Sequence, residues 1–162
     1  MKHIISVLVE NKFGVLSRVS GLFSSRGFNI HSLTVSETED PTISRMTIVV
    51  DGDDRILEQV VKQLNKLIDT IKVNDLTDRK HINRELLLIK ASMNNENREH
   101  IFQLANVFKA NIVDISTNSI TLQAVGTYDK ITALIDLIRP YGIKETVRTG
   151  RVAISRDNIK AK

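Results

Sequence analysis

The chain of 162 residues is long enough for one ordinary domain or two small ones, and its 41% hydrophobic and 26% charged residues are typical of a soluble globular protein. No apolar run approaches the ~20 residues that a membrane-spanning helix needs. The lack of cysteine excludes disulfides, thiolate nucleophiles and zinc sites built on sulfur. A strand-like run, Ile4–Val9, follows Met1 almost directly, so we expect no targeting peptide and a cytoplasmic location.

The net charge of +4 is concentrated at one end of the chain. Residues 1–138 contain 16 Lys and Arg against 17 Asp and Glu, whereas residues 139–162 contain 7 against 2. A basic terminus is most often solvated, less often docks on an acidic partner, and here least often contacts nucleic acid. Aromatic residues make up only 4% of the chain, which leaves little surface on which bases could stack. The charge therefore predicts neither a nucleic acid nor a membrane as a partner.

The apolar periodicity of the first half alternates between strand and helix. After the strand Ile4–Val9, a helix is predicted over Gly14–Arg26, and Gly27 is placed to end it. The elements that follow are a strand over Phe28–Glu37, a turn at Asp40-Pro41, a strand over Ile43–Val50, a helix capped by Asp53, and a short strand around Ile71–Leu76. The order of the first half is β-α-β-β-α-β.

The same order returns in the second half, after a polar stretch. Its elements are a strand over Leu86–Ala91, a helix that begins near Asn94 or Asn95, strands over Ile112–Ile115 and Ile120–Val125, a helix through Ile131–Ile138, and a last strand over Ile143–Val147. We therefore predict an α+β protein of two ferredoxin-like βαββαβ domains in tandem. The expected boundaries are residues 1–78, a linker at 79–83, and residues 84–162 ending in the basic tail.

Motifs of the common catalytic and cofactor sites are absent from the sequence. It contains no P-loop, no G-x-G-x-x-G, no G-x-S-x-G and no H-E-x-x-H. The four histidines are scattered singly, and the acidic turn Asp51–Asp54 lacks the twelve-residue ligand spacing of a calcium loop. We therefore predict no catalytic residues and no metal site in this chain.

One strand-to-helix junction is a candidate binding site. Gly14 would let the backbone approach a ligand closely, and the helix that follows it offers unpaired N–H groups for a small carboxylate. Asn11 supplies a donor and an acceptor beside it, and Asn29 would lie close if a second copy paired alongside. Each residue also has a structural alternative: Asn11 as a helix cap, Gly14 in a turn, and Asn29 in a loop. Spacing alone favours these structural roles.

The sequence of this junction resembles the opening of the small regulatory subunit of acetolactate synthase, also called acetohydroxyacid synthase. Residues 9–33 carry the resemblance as VENKFGVLSRVSGLFSSRGFNIHSL. It continues through Asp40–Ile48, Gln63–Leu67, Arg84–Lys90 and Arg148–Arg156, and so covers nearly the whole chain. The resemblance implies that the first domain is an ACT domain and that this chain pairs as a homodimer through it.

The same resemblance implies a non-catalytic role. The partner would be the large, catalytic subunit of acetolactate synthase, which carries thiamine diphosphate, Mg and FAD, while this chain binds no cofactor of its own. The effector would be valine, the end product of branched-chain amino-acid synthesis, bound between two ACT domains. The residues implied to hold it are Asn11, Gly14, Val15 and Leu16 of one copy, facing Asn29 and Ile30 of the other.

The sequence departs from the commonest family pattern at Lys12-Phe13, at His31 and at Ser36. These positions bear on how strongly valine acts and how well leucine or isoleucine replaces it, since one methylene discriminates by only ~1–3 kcal/mol. Two rival functions stay open: a free-standing amino-acid-responsive ACT protein with a transcriptional or protease partner, and a nucleic-acid-binding module that uses the basic tail. Co-purification separates the first rival, and the salt dependence of any nucleic-acid affinity tests the second.

Overall fold

The computed structural model describes residues 1–157 and divides the chain into two compact units. The first unit consists of residues 1–83 together with residues 151–157, and the second of residues 84–150. Lys160 and Lys162 of the basic tail lie outside the described residues.

The first unit has the predicted βαββαβ order. Its elements are β1 (Lys2–Glu10), α1 (Val15–Ser25), β2 (Ile30–Glu37), β3 (Ile43–Asp51), α2 (Asp54–Asn65) and β4 (Thr70–Asp75). The sheet order is β2-β3-β1-β4, and every pair of neighbouring strands is antiparallel. This arrangement confirms the ferredoxin-like prediction and leaves β2 as one edge of the sheet.

The core of this unit lies between the helices and one face of the sheet. Alternate residues of β1 and β3 point into it, together with the apolar stripes of both helices: Ile5, Val7, Val9, Val15, Val19, Leu22, Phe23, Met46, Ile48, Val50, Val60 and Leu64. Gly27 ends α1 as predicted, with φ of 68°, and the N–H of Phe28 donates to the carbonyl of Phe23. Asp53 caps α2 as predicted, because its carboxylate accepts from the N–H of Ile56.

The second unit repeats the fold. Its elements are β5 (His81–Ser92, of which residues 84–92 belong to this unit), α3 (Arg98–Phe108), β6 (Asn111–Ile115), β7 (Ser119–Gly126), α4 (Tyr128–Ile138) and β8 (Ile143–Arg148), in the sheet order β6-β7-β5-β8. Its core is built from the equivalent apolar positions: Leu87, Ile89, Ala91, Met93, Ile101, Ala105, Ile120, Leu122, Ala124, Ile131, Leu134 and Ile138. The internal repeat predicted from the sequence is therefore present in the fold.

The third helix begins later than predicted. It starts at Arg98 rather than near Asn94 or Asn95. The side chain of Asn94 accepts from the N–H groups of Glu96 and Asn97, and that of Asn97 accepts from the N–H of Asn94. These asparagines stabilise a turn ahead of the helix, which delays its first residue.

The end of the described chain differs from the predicted domain boundary. Residues 81–83, expected in the linker, already belong to β5, and Val152–Ser155 form a further strand, β9, which pairs with β5. The N–H of Arg156 donates to the carbonyl of Lys80 at 2.9 Å. Residues 151–157 thus join the first unit rather than forming a solvated tail on the second.

A small apolar cluster accounts for this return. Ala153 is buried with Ile4, Val49 and Leu76, whereas its neighbours Val152 and Ile154 are exposed. Such alternation is the pattern of a strand with one covered face. The sequence Val152-Ala153-Ile154 is a continuous apolar run whose larger side chains are exposed, so no alternation of apolar and polar residues marks this strand.

Candidate functional site

The loop between β1 and α1 ends at Gly14, which is the N-cap residue of α1. Gly14 has φ of 79° and ψ of −2°, in the left-handed region that favours glycine, and no side chain caps the helix. Among the four α-helices of the described chain, only α1 has no acidic residue in its first turn. The positive end of its dipole is therefore left without a carboxylate from its own first turn.

Asn11 ties this loop to the turn between β2 and β3. Its side-chain amide donates to the carbonyl of Pro41 at 2.9 Å and to the carboxylate of Glu37 at 3.2 Å. Its backbone N–H donates to the carbonyl of Thr42 at 2.7 Å. Asn11 thus does not cap α1; it anchors the loop against the neighbouring turn.

Two cationic side chains flank Gly14, each beside a carboxylate. Lys12 lies 2.6 Å from Glu10, whose hydrogen bond and negative charge raise the pKa of Lys12 above its usual value. Arg18 donates from Nε to the carboxylate of Asp69 at 2.7 Å. The side chain of Asp69 is only 10% exposed, whereas that of Arg18 is 48% exposed. The loop is therefore bordered by cations whose charge is partly balanced.

The predicted site residues on α1 differ in what they present. Val15 is buried and packs in the core, so only its backbone is available to a ligand. The side chain of Leu16 is 44% exposed, and Phe13 is fully exposed. Leu16 is thus the apolar side chain that the helix itself presents beside Gly14.

Asn29 and Ile30 lie at the opposite end of the same sheet. Ile30 pairs with Val50, which pairs with His3 near the beginning of β1. Glu10 stands seven residues further along β1, which at ~3.3 Å per residue is roughly 23 Å. Within one chain, the two halves of the predicted site are therefore not brought together.

Several contacts of the loop were not predicted from the sequence. Arg18, Asp69 and Pro41 were not singled out, although Arg18 stands four residues after Gly14 and so lies over it on one helix face. Asp69 and Pro41 are far away in the sequence, and only the strand register reveals them. Helical spacing was thus the only local signal, and it could have predicted only the position of Arg18 over Gly14.

Residues 1–157 contain neither a candidate metal site nor a candidate membrane-spanning helix. This part of the chain holds no group of three or more His, Cys, Asp or Glu residues that could bind a metal ion. It also contains no helix that is both long and apolar enough to span a membrane.

Comparison with known proteins covers both units. Residues 5–72 match the family model described as an AHAS small subunit-like ACT domain, and residues 84–157 match the model described as the small subunit of acetolactate synthase. The chain is 58% identical over 160 residues to a protein of Archaeoglobus fulgidus named "Probable acetolactate synthase small subunit", across 99% of this chain and 100% of that one.

Two further relatives agree. The acetolactate synthase small subunit of Aquifex aeolicus is 49% identical across 96% of this chain and 82% of its own. The crystal structure of the acetolactate synthase small subunit from Thermotoga maritima superposes with a TM-score of 0.90 at 40% identity, across 98% of this chain and 99% of that one. The two matched domains, the full-length relatives and the shared fold together place this chain in the acetolactate synthase small-subunit family, with an ACT domain as its first unit.

Proposed function

We propose that this chain is the regulatory subunit of an acetolactate synthase. It binds a separate, thiamine-diphosphate-dependent catalytic chain, raises that chain's activity and makes it sensitive to valine. The observation that carries the proposal is the match of both domains, in order, to small subunits of this enzyme. The decarboxylation of pyruvate and the transfer of its two-carbon unit to a second 2-oxo acid then belong to the catalytic partner.

The position of β2 supports a dimeric effector site. β2 is an edge strand, so its outer backbone groups are open to pairing with a second copy. Antiparallel pairing of β2 with its twofold mate sets the first residue, Ile30, near the mate's last residue, Glu37. Glu37 accepts a hydrogen bond from Asn11. A twofold dimer would therefore bring Asn29 and Ile30 of one copy toward Asn11 and Gly14 of the other.

The electrostatics of the loop favour an amino acid with its carboxylate toward α1. The helix start lacks an acidic first turn, so its N–H groups and dipole would attract a carboxylate. Leu16 offers an apolar surface for an aliphatic side chain, and Ile30 of the partner would add another. The carboxylate of Glu37 and the side-chain oxygen of Asn11 are acceptors suited to an ammonium group.

Reconstitution tests this function directly. The full chain is mixed with its purified catalytic subunit, and acetolactate formation is measured for each protein alone and for the mixture. We expect no product from this chain alone, a higher rate for the mixture than for the catalytic subunit alone, and loss of that gain on adding valine. An unchanged rate on mixing contradicts the regulatory role, whereas activation without a valine response contradicts only the effector assignment.

A further inference from the structure

We infer that Arg18 is a positioning residue of the effector loop, an inference that rests on the proposed effector site. Its side chain turns back along α1 toward the start of the helix, as long helical side chains do. There its guanidinium meets three features of the site: the Asp69 carboxylate, the Phe13 carbonyl and the space above Gly14.

The first contact is a fixed anchor. Arg18 Nε donates to Asp69 Oδ2 at 2.7 Å, and Asp69 is largely buried in the segment between α2 and β4. The same residue accepts through its backbone, because the N–H of Glu10 donates to the Asp69 carbonyl at 2.9 Å. Asp69 therefore holds the end of β1 through its backbone and α1 through its side chain.

The second contact reaches the loop itself. Arg18 Nη2 donates to the carbonyl of Phe13 at 3.4 Å, and this carbonyl belongs to the peptide that joins Phe13 to Gly14. The planar guanidinium makes both contacts from one rigid fork, which a flexible ammonium would not reproduce. Asn11 anchors the other end of the loop to Pro41. The loop backbone between Asn11 and Gly14 is therefore held at both ends.

The third feature concerns the residue at position 14. A Cβ added to Gly14 would lie 3.0 Å from Arg18 Nη1. Glycine at this position thus leaves room for the guanidinium as well as adopting a positive φ. Arg18 fixes the direction of the first N–H groups of α1, which in the proposed site receive the effector carboxylate.

The test uses the full chain with Arg18→Met, and Lys62→Met as the matched control. Lys62 belongs to the same unit and pairs with Glu58, but both side chains of that pair are 66% exposed. Two quantities are measured: hydrogen exchange of the amides of residues 12–16, and the Kd for valine by calorimetry. We expect Arg18→Met to speed the exchange and to raise the Kd at least tenfold, while Lys62→Met changes neither.

A second variant guards against a simple loss of folding. Arg18→Met leaves the buried Asp69 carboxylate without its ion pair, which by itself destabilises the fold. The double variant Arg18→Met/Asp69→Leu removes that buried charge while still lacking the contact with Phe13. We expect it to recover thermal stability but to keep the fast exchange and the weak valine binding.

Three outcomes overturn the inference. Wild-type exchange and Kd in Arg18→Met would mean that Arg18 does not hold the loop. A lower Tm with an unchanged Kd would reduce its role to stability. Absence of valine binding in the wild-type chain would instead refute the proposed effector site, and the inference with it; this failure is recognisable because it precedes any substitution.

Discussion

The loops that precede α1 and α3 occupy the same place in two copies of one fold, yet they satisfy their backbones differently. Before α3, Asn94 and Asn97 accept from neighbouring N–H groups, so the loop closes on itself. Before α1, a glycine takes the cap position, and Asn11 donates to the Pro41 carbonyl of a distant turn. The two units share one scaffold, whereas the differences between their loops can confine ligand binding to one unit.

The sheet faces remote from the helices also differ between the units. In the first unit, Ile4 and Val49 are buried together with Ala153 of β9. In the second, Leu88 and Val147 pair across β5 and β8 but are 36% and 54% exposed. Four pairs of substitutions test these and similar contrasts.

The largest expected effect comes from Ala153→Asp. It would place a carboxylate without a cationic partner in the cluster of Ile4, Val49 and Leu76, at a cost of about 3 kcal/mol. Urea unfolding followed by circular dichroism measures the loss. Ile154→Asp, on the exposed side of the same strand, is the control and should change stability little. Equal stability of the two variants would contradict the assignment of β9 to the first unit.

Gly14→Asp should remove the valine response of the reconstituted complex. The new carboxylate competes for the N–H groups at the start of α1 and draws Arg18 away from Asp69, so we expect at least a tenfold higher valine concentration for half-inhibition. Activation by this chain should persist. The φ of 79° adds a stability cost of ~1–2 kcal/mol, since the backbone at this position favours glycine.

The control for a backbone cost is Gly142→Asp in the second unit, where φ is 94° and an added Cβ would lie 3.3 Å from Ser92 Oγ, so that its stability cost should be at least as large as that of Gly14→Asp. It should lower stability but leave the valine titration unchanged. A titration of Gly14→Asp that superimposes on that of the wild type would show that Gly14 does not line the effector site.

Substitutions at the C-terminal ends of α1 and α3 should change the stability by smaller amounts and in opposite directions. Gly27 follows α1 with φ of 68°, whereas Lys109 follows α3 with φ of 52°. Gly27→Ala should cost about 1 kcal/mol. Lys109→Gly should gain about 0.5 kcal/mol, because relief of left-handed strain exceeds the entropy cost of glycine. Thermal unfolding of both variants measures these changes in stability. A loss of stability in Lys109→Gly would contradict the comparison.

The smallest change in stability concerns the turn between the second and third strands of each unit. In the first unit, hydrogen bonds from the hydroxyl and the N–H of Thr42 lower the pKa of Asp40. This stabilisation is present above the usual carboxyl pKa of about 3.9 and is lost as the pH falls through the lower pKa of the folded state. Asp40→Asn should therefore be slightly less stable than wild type at pH 7, with the difference fading on acidification.

The corresponding turn of the second unit supplies the control. Ser116 accepts from the N–H of Ser119 through its hydroxyl, which does not titrate in this range. Ser116→Ala should lower stability by an amount that does not change with pH. Unfolding in urea at a series of pH values measures both variants, and a pH-independent effect of Asp40→Asn would contradict the role given to its carboxylate.

Much of the fold was predictable because its signals are local. Within residues 1–157, apolar residues at helical or alternating spacing marked the four α-helices and the first eight strands, and Gly27 and Asp53 marked helix ends through their own backbone or side chain. The predicted start of α3 was wrong because the side chains of Asn94 and Asn97 accept from backbone N–H groups in a turn ahead of the helix. β9 was missed because its burial depends on a single alanine.

The candidate site was less predictable. Asn11 and Gly14 were singled out for their position and residue type, but the assignment of valine to them came from the family resemblance and stays a prediction. The partners of the loop residues, Glu37, Pro41 and Asp69, were not foreseen, because nothing in the sequence near Asn11 or Arg18 points to them.

By itself, the sequence determined the repeated βαββαβ order, the positions of most elements and the family, since periodicity and residue identity act over a few neighbouring positions. Only the tertiary structure decided that Asn11 anchors a turn rather than caps a helix, that Arg18 pairs with Asp69, and that Ala153 completes the first unit. These contacts join residues 30 to about 150 positions apart, and strand register and packing, rather than local propensity, select such pairs.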